Sequence, residues 1–230
     1  MRDYNQAMNI RELHDWQVTR DQAKSIQSRL ATLVSKHNEI NSLQFIAGVD
    51  ISSPNGRGIA TGAVVVMRYP QLSISEIKIA EQKINFPYIP GLLSFREAPL
   101  ILAACKKLAL LPDLFLVDGQ GMAHPKRLGL ASHLGVLLDV PTIGCAKSRL
   151  CGVHEPVKET WGSFAELKDS TEVIGAVLRT KEGVKPIYVS IGHKIDLDTA
   201  ILRVLECCRG YRVPEPTRLA HLAAAGRLAS

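Results

Sequence analysis

Leu114-Phe115-Leu116-Val117-Asp118-Gly119 is a continuous apolar run that an acid and a glycine end abruptly. This pattern is typical of a buried β-strand that leads into a sharp loop. Residues 44–51 (QFIAGVDI) form a second short apolar run, which carries Asp50 near its end. Ligands of open α/β sheets sit where strands emerge, so these two acids mark a candidate site.

The sequence on both sides of these runs predicts further strands and helices. An amphipathic helix is expected over 19–37, and strands at 60–68 and 72–84 follow, with a hairpin at the intervening SSPNGRG. Later segments read as a helix ending near 111, a helix over 125–138, a strand at 142–145, a hairpin of 172–179 with 186–191, and a helix over 196–208. We therefore predict an α/β fold with a mixed sheet.

Composition places the chain among ordinary globular proteins. Of its 230 residues, 46% are hydrophobic and 22% charged, which excludes wholesale disorder, and the net charge of +6 permits a polyanionic partner without identifying one. The five cysteines form no CxxC pair, which favours a reduced compartment over a secreted disulfide framework. With neither a signal peptide nor a membrane span in the sequence, we expect a cytoplasmic protein. We expect one domain over 1–230, with 1–18 as a flexible lead-in.

Three acids make up the candidate chemistry. If the strands ending at Asp50 and Asp118 are neighbours, their carboxylates converge, and a divalent cation is the natural neutraliser. The alternative is that each acid only caps a turn. Oxygen ligands without a cysteine set favour Mg²⁺ or Mn²⁺ over Zn²⁺, and the matching reaction is hydrolysis of a phosphodiester.

Glu97, the third acid, has a competing structural explanation. Ser94 and Glu97 match a capping box, in which the glutamate side chain would accept from the backbone of the first residue of the box. Pro99 argues against this box, because it would lie inside the resulting helix and remove a hydrogen bond. A helix that starts nearer Glu97 would leave its carboxylate free.

Two loops carry the other candidate residues. In the segment Pro87-Tyr88-Ile89-Pro90-Gly91, two prolines stiffen a loop whose tyrosine either wedges between bases or anchors the core. The run from Asp118 to Arg127 combines glycines, which allow close approach to a ligand, with His124 and Lys126. Lys126, Lys147 and Arg149 are candidates for phosphate contacts, although a solvated surface cation is the usual explanation.

Taken together, these stretches resemble the endonuclease V family. The resemblance covers about residues 19–222 in unbroken order. The matching runs are 47–50 (AGVD), 87–91 (PYIPG), 94–97 (SFRE), 117–121 (VDGQG), 124–129 (HPKRLG), 140–144 (VPTIG), 146–147 (AK), 210–212 (GYR) and 214–218 (PEPTR).

The resemblance implies a ribonuclease H-like fold, a central mixed sheet flanked by helices. It implies Mg²⁺-dependent cleavage of the second phosphodiester bond 3′ to hypoxanthine in DNA, leaving a 3′-OH and a 5′-phosphate, with Mn²⁺ expected to substitute. Family positions matching Asp50, Glu97 and Asp118 bind metal. His221 matches a position that varies between Asp and His, so direct ligation there stays open.

The resemblance also implies how DNA is bound. The family's wedge tyrosine corresponds to Tyr88, flanked by Pro87, Ile89 and Pro90, and the positions of His124 and Lys147 are catalytic or contact DNA. Lys126 and Arg127 are expected to contact DNA as well. The flipped base would occupy a pocket of largely backbone contacts near three glycines: Gly91, Gly119 and Gly121.

Two alternatives remain open at this point. One is a ribonuclease acting on inosine-containing RNA, because the sequence does not reveal contacts to a 2′-OH. The other is a non-catalytic binder of deaminated nucleic acid, which would have no need of clustered acids. For the leading hypothesis the expected partner is deoxyinosine-containing DNA, and we expect a monomer with no membrane partner.

Overall fold

The computed structural model describes residues 8–228, which contain five α-helices and eight β-strands. In chain order the elements are α1 (Arg20–Ala31), β1 (Phe45–Ile51), β2 (Ile59–Arg68), β3 (Ser73–Lys83), α2 (Leu93–Cys105), β4 (Leu114–Val117), α3 (Leu130–Leu138), β5 (Thr142–Ala146), β6 (Phe164–Asp169), β7 (Glu172–Leu178), β8 (Ile187–His193), α4 (Leu197–Glu206) and α5 (Glu215–Ala224). None of the helices in this part of the chain is long and apolar enough to cross a membrane.

All eight strands join one mixed sheet in the order β3-β2-β1-β4-β5-β8-β7-β6. The central strands β1, β4 and β5 run parallel, and the remaining pairs are antiparallel. Val49 lies opposite Val117, so the strands that carry Asp50 and lead to Asp118 are direct neighbours, which is the condition under which their carboxylates converge. The mixed α/β architecture is confirmed and agrees with the ribonuclease H-like fold that the resemblance implies.

The sheet is buried on both faces, which explains the unbroken apolar runs in β1 and β4. Successive residues alternate between two cores, so Ile46 belongs to one and Ala47 to the other. Helices α2 and α3 pack on the face of Ala47, whereas α4 and α5 pack on the face of Ile46.

Several element boundaries differ from those predicted. Helix α1 ends at Ala31 instead of 37, and residues 125–129 form a turn before α3, in which Arg127 adopts a positive φ of 55°. Strand β6 was not expected. Helix α5 starts at Glu215 with Pro216 in its first turn, where a proline is tolerated because the first amides have no intrahelical acceptor.

Both predicted starts of α2 are wrong. The helix begins at Leu93, one turn before Glu97, and Leu92 at its N-cap provides no side-chain cap. The Ser94 hydroxyl bonds to His133 instead of forming a capping box. Pro99 lies inside the helix and cannot donate the usual backbone bond, and burial of Ala98, Leu100 and Ile101 offsets this loss.

The segment before α1 is packed against the body of the protein. Residues 8–18 belong to the lead-in that was expected to be flexible over 1–18, and they contact the rest of the chain, while 1–7 lie outside the described residues. Met8 is buried in the core, the Arg11 amide donates to the Leu137 carbonyl at 2.8 Å, and the Arg29 side chain donates to the Leu13 carbonyl.

A chain of hydrogen bonds fixes this segment to α2 and α3. His14 Nδ1 donates to the Asp15 carbonyl at 2.7 Å, so a neutral His14 accepts at Nε2, which lies 2.8 Å from His133 Nε2. His133 therefore donates there and accepts from the Ser94 hydroxyl at Nδ1, 2.9 Å away. Complete burial lowers the pKa of His133 to about 3, so this chain requires neutral imidazoles.

A glycine in β1 allows α5 to approach the sheet. A Cβ on Gly48 would lie 1.9 Å from the carbonyl oxygen of Pro216, in the first turn of α5. Only a residue without a side chain fits at this distance, and α5 carries His221 to the same sheet edge as Asp50.

We expect Gly48→Ala to lower the free energy of unfolding by at least ~1–3 kcal/mol, because the added methyl overlaps backbone. Urea unfolding measures this, with Gly56→Ala as the matched control, since a Cβ there meets nothing within 4 Å. Equal stability of the two variants would contradict the close contact between β1 and α5.

The pH dependence of stability tests the histidine chain. The folded pKa of His133 lies below its unfolded value, so the unfolded chain binds more protons between about pH 6.5 and 3. Stability is therefore retained above pH 6.5 and falls by up to ~1.4 kcal/mol per pH unit as the pH drops through this window.

We expect His133→Phe to flatten this loss while lowering stability at pH 7, because Ser94 loses its partner. Urea midpoints measured from pH 7 to pH 4 give the comparison, and His37→Phe, at an exposed position, is the control. The assignment is wrong if His133→Phe and the parent lose stability in parallel.

Candidate active site

Three acids meet at the edge of the sheet where the parallel strands end. Asp50 lies near the end of β1, Asp118 directly follows β4, and Glu97 lies on α2. Burial and the charges of the two aspartates raise the pKa of Glu97 to about 8. The pKa of Asp50 is raised by burial and by Asp118. The acids that the sequence singled out therefore interact electrostatically.

Two of the acids have a basic partner and the third has none. Asp118 forms an ion pair with Lys147, and Asp50 Oδ2 lies 2.8 Å from His221 Nδ1. The two aspartates are mostly shielded from solvent, whereas Lys147 and His221 are about half exposed. Within residues 8–228 the Glu97 carboxylate has no hydrogen-bond partner, and the charge of Arg96 only partly offsets its desolvation.

The acids do not form a finished metal site in this arrangement. Among the described residues, no three His, Cys, Asp or Glu side chains are grouped so that they would hold an ion. The chemistry of the donors nevertheless fits a hard divalent cation, since Asp118 raises the pKa of Asp50, both aspartates raise the pKa of Glu97, and no thiolate is among the three acids. For such a cation, the aspartates would turn from Lys147 and His221.

A cavity of about 380 Å³ opens beside the acids. Its walls include Tyr88, Gly91, Asp118, Gly119 and Lys147. Two of the three glycines expected around a flipped base therefore line a cavity. The third, Gly121, does not line it and instead packs so tightly that a Cβ would lie 2.1 Å from the Ile191 carbonyl oxygen.

The loop before α2 presents its tyrosine to solvent. Tyr88 is 70% exposed at the rim of the cavity, so the core-anchor alternative is wrong for this residue. Ile89 provides the anchor, because it packs against Ala23, Leu92 and Phe95. Pro87 and Pro90, on either side, are exposed.

Two buried side chains fix this loop by binding the Gly91 carbonyl. His124 Nδ1 accepts from the Lys126 amide at 3.0 Å, so Nε2 carries the proton and donates to Gly91 at 3.1 Å. Gln27 donates to the same carbonyl at 2.8 Å. Burial lowers the pKa of His124 to about 4, so it is neutral at pH 7 and both nitrogens are engaged.

The predicted cations differ in their availability. Lys126 and Arg149 are exposed and form no ion pair within the described residues, and Arg149 lines the cavity. Arg127 is engaged elsewhere, since its guanidinium pairs with Asp169 and Glu172 at 2.8 Å and fixes the β6–β7 hairpin. Its predicted role in contacting DNA would require these pairs to break.

Two residues that the sequence analysis missed organise the site. Gln27 is 2% exposed and occupies the apolar face of α1, where a buried amide among aliphatic residues was the available signal. Arg212 donates to the backbone carbonyls of Lys147 at 2.6 Å, Pro186 at 2.9 Å and Lys185 at 2.8 Å. No local pattern predicts these long-range partners.

Comparison with known proteins gives consistent matches over nearly the whole chain. The sequence profile of the family described as Endonuclease V matches residues 28–222. Endonuclease V of Dehalococcoides mccartyi is 49% identical over 218 residues, which cover 95% of this chain and 98% of the relative.

Solved structures show the same fold. Endonuclease V from Streptomyces avermitilis superposes with a TM-score of 0.87 at 38% identity, covering 96% of this chain and 97% of that one. Ciona intestinalis Endonuclease V gives a TM-score of 0.79 at 30% identity, with 90% and 96% of the chains covered. The Ciona protein was crystallised with a 24mer DNA containing an inosine followed by a ribo-adenosine.

Proposed function

The chain belongs to the endonuclease V family, and from this premise we propose that it cleaves DNA at the second phosphodiester bond 3′ to deoxyinosine, leaving a 3′-OH and a 5′-phosphate. The observation that carries the proposal is the partly buried Glu97 carboxylate, which has no hydrogen-bond partner within residues 8–228 and whose pKa is raised by the charges of Asp50 and Asp118. A protein that only binds nucleic acid gains nothing from clustered acids facing a phosphate. The inosine-containing DNA bound by the Ciona relative supports the choice of substrate.

Asp50, Glu97 and Asp118 would hold a divalent cation, Mg²⁺ by preference and Mn²⁺ as a substitute. When bound, the ion would activate water and stabilise the leaving oxygen. His221 contacts the Asp50 carboxylate directly, so we assign it the task of orienting that acid. Lys147 is the cation beside Asp118, and it would turn from the aspartate to the phosphate of the substrate.

The cavity and its rim would take up the lesion. Tyr88 would enter the space left by the flipped base, and Pro87, Ile89 and Pro90 would keep the loop stiff. Gly91 and Gly119 line the cavity beside Asp118, and their backbone groups other than the Gly91 carbonyl, which is bonded to Gln27 and His124, would read N1–H and O6 of hypoxanthine. His124, neutral and bonded at both nitrogens, positions this loop instead of exchanging protons with the substrate.

Inosine-containing RNA is the second candidate substrate. The DNA in the Ciona structure carries a ribonucleotide directly after the inosine, so a 2′-OH is present in the strand that this relative binds. A site that accommodates one ribonucleotide there is compatible with cleavage of RNA. Direct comparison of the two substrates decides between them.

We expect Mg²⁺ or Mn²⁺ to support cleavage of end-labelled inosine DNA, and a chelator to abolish it. Asp50→Asn should lower the cleavage rate by at least ~100-fold, because it removes one charged oxygen ligand from the site. Gel analysis of the labelled product gives both the rate and the position of the cut.

Two controls accompany this test. The matching adenine strand should not be cleaved, and Asp198→Asn, at the start of α4, should cleave inosine DNA at the rate of the parent protein. Cleavage that survives both chelation and Asp50→Asn would falsify the metal-dependent mechanism. Faster cutting of inosine RNA than of DNA would instead establish the second substrate.

We expect Tyr88→Ala to weaken binding to inosine DNA more than binding to the same duplex with adenine. Loss of base–aromatic stacking at an exposed wedge corresponds to ~1–3 kcal/mol. Fluorescence anisotropy with chelator present measures both affinities without cleavage. Equal losses on the two duplexes would show that Tyr88 does not insert at the lesion.

A further inference from the structure

A second set of loops emerges at the same sheet edge as the candidate active site. In the outer half of the sheet, Phe164 of β6 pairs with Leu178 of β7, and Leu178 pairs with Ile187 of β8. The next residue of β8, Tyr188, pairs with Ala146 at the end of β5. The loops that follow β5 and β7, and those that precede β8 and β6, therefore leave the sheet along one line. This line continues to β4, where Asp118 lies.

These loops carry cations that have no acidic partner. Arg149 and Lys158 lie in the long loop 147–163, and Lys181 and Lys185 lie between β7 and β8. All four are exposed, and none forms an ion pair within residues 8–228. Of the acids beside them, Glu159 is paired with Arg179, and Glu182 accepts from the Trp161 amide at 3.4 Å, while Glu155 is exposed. The unpaired charge along this edge is mainly positive.

Two arginines fix these loops to one another. Arg212 donates to the carbonyls of Lys147, Lys185 and Pro186, and so joins the end of β5 to the start of β8. Arg179 is 5% exposed and donates to the carbonyls of Lys158 and Val184. Loop 147–163 is thus held in place over its length, although it has no regular structure, which is typical of a binding loop.

The outer end of this edge presents aromatic side chains to solvent. Trp161 is 55% exposed and Phe164 is 51% exposed. The Gly162 amide donates to the Arg179 carbonyl at 2.8 Å, which fixes the backbone next to the tryptophan. Exposed aromatics beside a row of cations are the combination with which proteins bind single-stranded nucleic acid.

We propose that Arg149, Lys158, Lys181, Lys185 and Trp161 form a track for the DNA strand that flanks the cleavage site, with a base stacked on Trp161. We call this surface the β5–β6 track. The proposal rests on the proposed function, because it places the track on the substrate of that site. Charge selects the partner: four unpaired cations at the edge of a proposed phosphodiesterase site match a polyanionic strand.

The dimensions of the sheet agree with a short stretch of strand. From β5 to β6 there are three steps between neighbouring strands, which at ~4.8 Å each give ~14 Å between the end of β5 and Phe164. About four nucleotides of stacked strand span this distance at ~3.4 Å per nucleotide. The track would therefore increase affinity only for substrates that extend beyond the lesion.

The test compares binding of a short and a long single strand, each with one inosine, in the presence of chelator. The long strand reaches past Trp161, and the short one is trimmed to the nucleotides next to the lesion. We expect Trp161→Ala to weaken binding of the long strand by ~5- to 150-fold and to leave the short one unchanged. Trp161→Phe should retain most of the affinity for the long strand. Binding of the long strand should quench the tryptophan fluorescence of the parent protein.

The salt dependence tests the cations. Lys158→Ala and Lys181→Ala should each reduce the slope of log affinity against log salt by about 0.7 on the long strand. Lys106→Ala is the matched control, since this exposed lysine follows the far end of α2, ~20 Å from the cavity, and has no ion pair among the described residues.

If Trp161→Ala binds both strands as tightly as the parent protein, the proposal is overturned, and the exposed tryptophan is assigned to a contact with another protein. Equal losses on both strands would overturn it as well, because they would indicate a general structural role. These outcomes are independent of the proposed function. That function fails when inosine and adenine strands are cleaved alike, whereas the track is judged by strand length and salt.

Discussion

The repulsion between two carboxylates at the ends of neighbouring parallel strands is the constraint on which the site depends. The pairing of β1 with β4 brings Asp50 and Asp118 together whether or not a cation is near. Lys147 forms an ion pair with Asp118, and α5 approaches β1 closely enough for His221 to hydrogen-bond to Asp50. Glu97, from α2, adds a third acid for which the described residues offer no partner.

The loops around the acids are held by side chains that donate to backbone carbonyls, not by regular structure. Buried carbonyls need donors, and a loop near a ligand cannot obtain them from strand neighbours. Gln27 and His124 both bind the Gly91 carbonyl, while Arg179 and Arg212 bind several carbonyls each. The binding surfaces are therefore preorganised by four polar side chains, of which Gln27, His124 and Arg179 are buried and Arg212 is partly buried.

Features that depend on local sequence were predictable, and features that depend on distant partners were not. Burial of the sheet on both faces makes β1 and β4 apolar, so Asp50 and Asp118 stand out in the sequence at their ends. The start of α2 was mispredicted because Ser94 bonds to His133, a residue far along the chain. Strand β6 was not predicted, because it lies at the sheet edge and buries only Leu167, so its sequence carries no apolar pattern.

The same electrostatic constraint predicts how the acids would respond to their proposed cation. Because a bound cation attracts the Asp118 carboxylate and repels the Lys147 ammonium group, a cation at this acid would weaken their ion pair. The lysine would then be a half-exposed charge beside a cavity large enough for a nucleotide base, where a phosphate is the natural replacement partner. In the proposed enzyme, cation binding would thus also prepare Lys147 for the substrate. The ion pair with Asp118 keeps this lysine next to the acids.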